Sequence, residues 1–353
     1  MEQTGPESFP REITPLKRAI ELDSNFALAY AALSVAYAKS GKRELAAEAA
    51  RKAFESRGWL SERARLEISI HYYSLVTKEW DKVVETAELW ISTYPNKWPQ
   101  SYNLLAIEYG YRMCGKYEKA LEAADHLIPL QPNSGWPYYH RAQALMSLNR
   151  FAEAKESYER AVAQRLDARP SRRGLYALAF IDSDAAAMQQ QLDVLRGQSD
   201  PSDGLGWQAE TAAFSGQFQR AQELSHRALV LAAQSNAKAV AAQYASVASL
   251  RAATVGQCQR RKTEATQALT FARECDSLWA VGLGLALYDE AGHVHKLIDE
   301  MKVCCSQQDT FLNNPYLPII EAACEIKVNN PAHAIQTLES TRLYEGAGGF
   351  WPR

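Results

Sequence analysis

Few residues in this chain could do chemistry by their type and spacing. Gly110-Tyr-Arg-Met-Cys-Gly115-Lys116-Tyr117 differs by one letter from a phosphate-cradling glycine-rich loop. Such a loop needs Ser or Thr after the lysine to hold magnesium, a strand before it and a helix starting at the lysine. Tyr117 stands where the hydroxyl is wanted and the preceding segment reads as helix, so nucleotide binding is not expected. Gly282-Leu-Gly284 lacks the third glycine and the strand of a dinucleotide site; close approach of two helices accounts for it better. His293 and His295 precede Cys304 and Cys305, which invites a metal. Residues two apart on a helix point to nearly opposite sides, however, and no Cys-x-x-Cys pair supports them. The vicinal cysteines could form a redox pair, although free cysteines commonly serve as small buried apolar groups. Asp182 and Asp184 lie at a turn, where helix caps are found. No Gly-x-Ser-x-Gly elbow, His-Glu-x-x-His helix or kinase-type His-Arg-Asp loop occurs. The expectation is therefore not an enzyme, with no catalytic residue, metal or cofactor assigned. An enzyme built on an array of helices would need a polar pocket with perturbed titratable groups, for which the sequence gives no sign.

The elements that position side chains are clearest from Trp98 to Ala163, where one helical-hairpin pattern is written twice. In the first copy Leu104, Ile107 and Tyr111 are followed by Gly115, Tyr117, Ala120, Ala124, Leu127 and then Pro132. In the second, Tyr138 and Leu145 are followed by Phe151, Ala154, Tyr158 and Ala161, 34 residues on. Apolar residues three or four apart give each helix one stripe to bury. Gly115 can end the first helix with a positive φ, and Asn149 is the second-best residue for that place. Ala120 and Ala154 sit where the paired helices should cross, and a small side chain there lets the axes approach to about 8–10 Å.

This pattern resembles the tetratricopeptide repeat, whose signature is large apolar, then small residues, then Pro at a 34-residue period. The resemblance implies an all-α fold, an α/α superhelix or solenoid of antiparallel hairpins. About nine units are read along the chain. Residues 1–10 read as a disordered lead, and 11–196 as an N-terminal array of a half unit plus about five units. A hinge or bend is expected at 197–206, then a more degenerate array over 207–345 and a loop at 346–353. Ile13 to Leu22 resembles a second helix without its first, and the end is an apolar loop, so a fragment of a longer array is expected.

Composition bounds the function. The net charge of −2 is carried by 39 basic and 41 acidic residues with no basic cluster, which argues against nucleic acid as the main partner. Met1 to Pro10 is not a signal peptide, and the longest uncharged apolar run, Leu278 to Tyr288, is too short for a bilayer, which takes about 20 residues. A cytoplasmic chain is expected, with its six cysteines as reduced thiols.

In tetratricopeptide repeats the inner groove is lined by set positions of the first helix of each unit. Those positions here are Arg65, Ile68, Tyr72 and Leu75; Tyr102, Leu105, Tyr109, Arg112 and Met113; and Trp136, Tyr139, His140, Gln143 and Met146. The line is rich in Tyr and Trp, the types that dominate binding hot spots. The resemblance thus implies a protein-interaction scaffold taking a peptide or helix of a partner protein. The clamp that binds acidic chaperone tails in some of these proteins is not matched, because Ala31, Val35, Ala106 and Tyr109 stand where Lys, Asn or Arg is wanted. A second expectation comes from Asp309-Thr310, Leu317-Pro318, Ala334-Ile335, Leu338 and Tyr344-Glu345. They resemble the late part of repeat regions attached to bacterial serine/threonine kinases and winged-helix regulators, which would make the chain a sensory or regulatory module.

Overall fold

The protein is described from a computed structural model, covering residues 9–40, 42–94, 100–166, 169–195, 202–256, 258–273, 275–287, 291–304 and 308–344. Every regular element among these residues is helical. A leading helix α1 (Phe9–Leu22) is followed by nine hairpins. They are α2 (Ala27–Lys39) with α3 (Arg43–Glu55), α4 (Glu62–Tyr72) with α5 (Trp80–Thr93), and α6 (Gln100–Met113) with α7 (Tyr117–Leu130). Next come α8 (Trp136–Ser147) with α9 (Phe151–Ala163), α10 (Arg169–Ile181) with α11 (Ala185–Leu195), and α12 (Ser202–Phe214) with α13 (Phe218–Gln234). The last three are α14 (Lys238–Thr254) with α15 (Cys258–Phe271), α16 (Cys275–Ala286) with α17 (Ala291–Cys304), and α18 (Leu317–Lys327) with α19 (Pro331–Leu338). This is the all-α hairpin array the spacing implies.

The turns inside the hairpins are specified by backbone conformation. Gly115 has φ +71° and Asn149 φ +57°, as their residue types suggest. The Lys116 N–H donates to the Tyr111 carbonyl at 2.8 Å and that of Arg150 to Leu145 at 2.9 Å, the bonds that close a helix with a left-handed residue. A third copy falls another 34 residues on, where Ser183 takes φ +58° and the Asp184 N–H reaches the Ala179 carbonyl at 2.8 Å. Gly216 and Gly256 follow with φ of +73° and +76°. At the helix crossings Ala46, Ala120, Ala154 and Ala221 are fully buried, leaving no room for a larger side chain.

The chain forms two compact units. Of the described residues, those within 9–154 and 308–310 belong to the first and those within 155–304 and 311–344 to the second. In the first, each hairpin packs on the next, and first helices also meet across hairpins, α2 on α4 and α6 on α8. Its core is held by Trp90, Ile68, Ile70 and Leu127, all essentially inaccessible. Gln308, Asp309 and Thr310 belong to this unit and finish the end of α4, which continues as a π-turn at Tyr73–Thr77. Lys78, at φ +51°, pairs with Asp309 at 2.6 Å, and Thr310 Oγ1 donates to the Thr77 and Lys78 carbonyls at 2.9 and 2.8 Å. Groups that a helix end leaves without partners are thereby satisfied. The second unit is built the same way, with α14 on α16 and α16 on α18 around Leu278, Val281, Met301 and Ile320.

Several expectations are resolved locally. The expected hinge at 197–206 is helical from Ser202 on, where α12 begins, and 196–201 lie outside the described residues. Gly206 serves packing: a Cβ there would lie 2.7 Å from the Tyr244 ring. The lead expected over 1–10 is already helical at Phe9 and Pro10; residues 1–8 and the loop at 346–353 lie outside the described residues. Cys275 is disulfide-bonded, which corrects the expectation of reduced thiols throughout, while Cys114 and Cys324 are free. Cysteine count and spacing do not reveal which helices bring sulfurs together. Among the described residues no helix is long and apolar enough to cross a membrane.

Candidate functional site

The predicted binding residues converge where α6 and α8 meet in the first unit. Helix α6 is pinned against α5 through Gly110, where a Cβ would come within 2.7 Å of Val84 Cγ2. That fit seats the Tyr109 ring edge-on against Trp80, with centroids 5.0 Å apart. Helix α8 starts with Pro137 in its first turn, a place where the missing N–H costs nothing. Its period places Trp136, Tyr139 and His140 together, with ring centroids 5.7 Å (Trp136–Tyr139), 6.0 Å (Trp136–His140) and 5.3 Å (Tyr139–His140) apart.

Between these aromatic groups lies a charge that the sequence reading passed over. The Glu108 side chain is 0% exposed. His140 Nδ1 lies 2.7 Å from its Oε2, and Arg112 Nε lies 3.5 Å from its Oε1. These contacts are close but poorly aligned, so both oxygens, His140 Nδ1 and Arg112 Nε remain without a well-formed hydrogen bond. Burying a carboxylate costs several kcal/mol, and poor geometry repays only part of that. The Arg112 guanidinium lies over the Tyr109 ring at 4.7 Å, a favourable cation–π arrangement. At the surface Trp136 is 49% exposed and Tyr109 36%. Glu108 was legible as an anomaly: it falls on the stripe of Leu104, Ile107 and Tyr111, and 34 residues later the equivalent place holds Ala142.

The remaining candidates scatter. Gln143 is half-buried on α8. Tyr102 belongs to α6, but its side chain lies outside the described residues. Tyr72 is engaged elsewhere, stacked on Phe54 at 3.9 Å with its hydroxyl donating to Gln308 Oε1 at 2.8 Å. Ile68 and Met113 are buried in the core.

The sites set aside on sequence grounds take structural roles. Lys116 pairs with Asp81 at 3.1 Å, and Gly115 closes a turn. Burial, with the Asp81 carboxylate, pushes the Cys114 thiol up to about 12, so it stays protonated and unreactive at neutral pH. A Cβ on Gly284 would touch the Leu250 backbone at 3.4 Å, the close helix approach expected there. His293 and His295 are both exposed on α17. Among the described residues no group of three or more His, Cys, Asp or Glu is arranged to hold a metal. Asp184 Oδ1 accepts from the Ala187 N–H at 2.9 Å, capping α11. Leu317 and Pro318 open α18, and Ala334, Ile335 and Leu338 lie in α19.

The protein is thus an all-α helical-hairpin repeat protein. Residues 137–166, which take in most of α8 and all of α9, match the family model of the tetratricopeptide repeat. No curated protein matches the sequence. Similar solved structures include pilF of Pseudomonas aeruginosa, 20% identical over 58% of this chain and 90% of that one, with a TM-score of 0.39. Yeast Tom70 is 11% identical over 95% of this chain and 88% of its own, with a TM-score of 0.47. A Rap protein complexed with competence and sporulation factor is 9% identical over 91% and 99%, with a TM-score of 0.48.

Proposed function

We propose that this chain is a non-enzymatic protein-interaction scaffold and that the face shared by α6 and α8 receives a peptide or helix of a partner protein. One observation carries the reading. Two large, half-exposed rings, Trp136 and Tyr109, sit on the helices whose side chains enclose a fully buried carboxylate, Glu108, against Arg112 and His140. A buried carboxylate is a costly way to fill that place, whereas recognition favours a fixed polar floor between rings that bury much area at little entropic cost. A partner segment laid across both helices would cover the rings and complete the desolvation of the charges beneath.

The test is cross-linking and pull-down with the intact chain, repeated with Trp136→Ala and Tyr109→Ala. The reading expects a partner that the wild type retains and Trp136→Ala loses, with circular dichroism unchanged. A partner held equally by both variants would place the interaction elsewhere. Loss of binding only together with loss of helicity would make the rings part of the fold.

A further inference from the structure

We propose that the α6–α8 face selects a partner segment bearing a carboxylate, taken by the two terminal nitrogens of Arg112; the inference rests on the interaction reading above and sharpens its partner. Arg112 is held on two sides, by Tyr109 beneath its plane at 4.7 Å and by Glu108 3.5 Å from its Nε. Its side chain keeps 14% of its exposure. Nε is buried, whereas Nη1 and Nη2 are not, and neither has a hydrogen-bond partner among the described residues. An immobilised guanidinium with one open edge is preorganised for a carboxylate, which it can grip with two parallel bonds.

Exposure decides against the opposite chemistry. At Arg112 a partner cation would meet a like charge, for the Glu108 oxygens are inaccessible and Arg112 itself lies over the Tyr109 ring. What the face offers a visitor is donors, flanked by the rings of Tyr109, Trp136 and Tyr139. The complementary segment carries one acid beside large apolar residues. This is not the chaperone-tail clamp, whose positions hold Ala31, Val35, Ala106 and Tyr109.

The experiment selects a displayed library of random 12-residue peptides, joined to the carrier at their C-termini, against the full chain. Selected sequences are then synthesised and measured by fluorescence anisotropy. The expected result is Asp or Glu next to an aromatic or large aliphatic residue. Amidating that acid, or making Arg112→Gln, should weaken binding on the order of 10- to 100-fold, the range of a lost charge-assisted bond. Arg112→Lys keeps a charge beside Glu108 and loses the fork, so it should bind with an intermediate affinity and carries the test if Arg112→Gln unfolds. A second pool with free C-termini separates the sources: a terminal carboxylate is the ligand if amidating the terminus abolishes binding. Peptides without an acid, peptides rich in Lys or Arg, or indifference to both Arg112 variants overturn the inference. If such peptides still lose binding with Trp136→Ala, the interaction reading survives. If no peptide binds, or binders ignore Trp136→Ala, that reading falls as well.

Discussion

His71 gives the sharpest quantitative handle on the first unit. It lies near the end of α4 with 5% exposure, and burial pushes its imidazole down to about 4 from an ordinary 6.5. Between those values the unfolded chain binds a proton that the folded chain does not, so stability falls as pH drops from 6.5 toward 4. Each unit of difference is worth about 1.36 kcal/mol, so the whole gap amounts to roughly 3 kcal/mol, of which about 2 kcal/mol should be lost between pH 7.5 and 5. The assay is urea unfolding followed by circular dichroism at both pH values, for the wild type and for His71→Leu, which fills a similar volume without titrating. Glu67, one turn earlier, is raised by burial and works in the opposite sense, stabilising the fold as pH falls. It is present in both proteins and cancels in the difference. The expected result is a wild type that loses about 2 kcal/mol more than the variant on acidification. Equal losses would mean that the imidazole is solvated or already charged in the folded protein, and the burial argument for α4 would be refuted.

The remaining predictions concern packing and turns. Trp90→Ala empties the largest fully buried side chain of α5 and should cost about 3–5 kcal/mol, read as a shifted unfolding midpoint. Gly174→Ala would drive a Cβ into the ring of the fully buried Tyr158 and should cost about 1–3 kcal/mol, whereas Gly58→Ala, with open space around it, should be close to neutral in the same thermal melt. Ser183→Gly relieves a side chain held at φ +58° and should raise stability by up to about 1 kcal/mol, while Gly216→Ala, at φ +73°, should lower it by a similar amount although nothing crowds the site.

The residues that proved legible in the sequence act locally. Gly115 and Asn149 announce their turns because Gly and Asn are the types that tolerate a positive φ, and Ala120 and Ala154 announce helix crossings because only a small side chain fits there. Ser183 makes the same turn without the diagnostic residue type, so only the 34-residue count from Asn149 points to it. Tyr72 was out of reach altogether. The resemblance to the repeat assigns it to the binding surface, but its hydroxyl is taken by Gln308, 236 residues away, and no local pattern encodes that bond.

Glu108 lies between these cases. A charge on the apolar stripe of α6 could have been flagged, yet the sequence does not say whether such a residue turns outward, pairs, or stays buried. The structure resolves this because Gly110 draws α6 onto α5, which fixes the rotation of the helix and turns Glu108 toward His140 on α8. Once the rotation is fixed, Arg112, one turn further on, must pass over Tyr109 to approach the acid, and its open edge is left facing solvent. A substitution on the side of α6 that packs on α5 can therefore test the binding face. Gly110→Ala should push α6 off Val84, separate Tyr109 from Trp80 and weaken partner binding, while leaving Arg112, Trp136 and Tyr139 chemically intact. Unchanged binding in a folded Gly110→Ala protein would show that the rotation of α6 does not set the site.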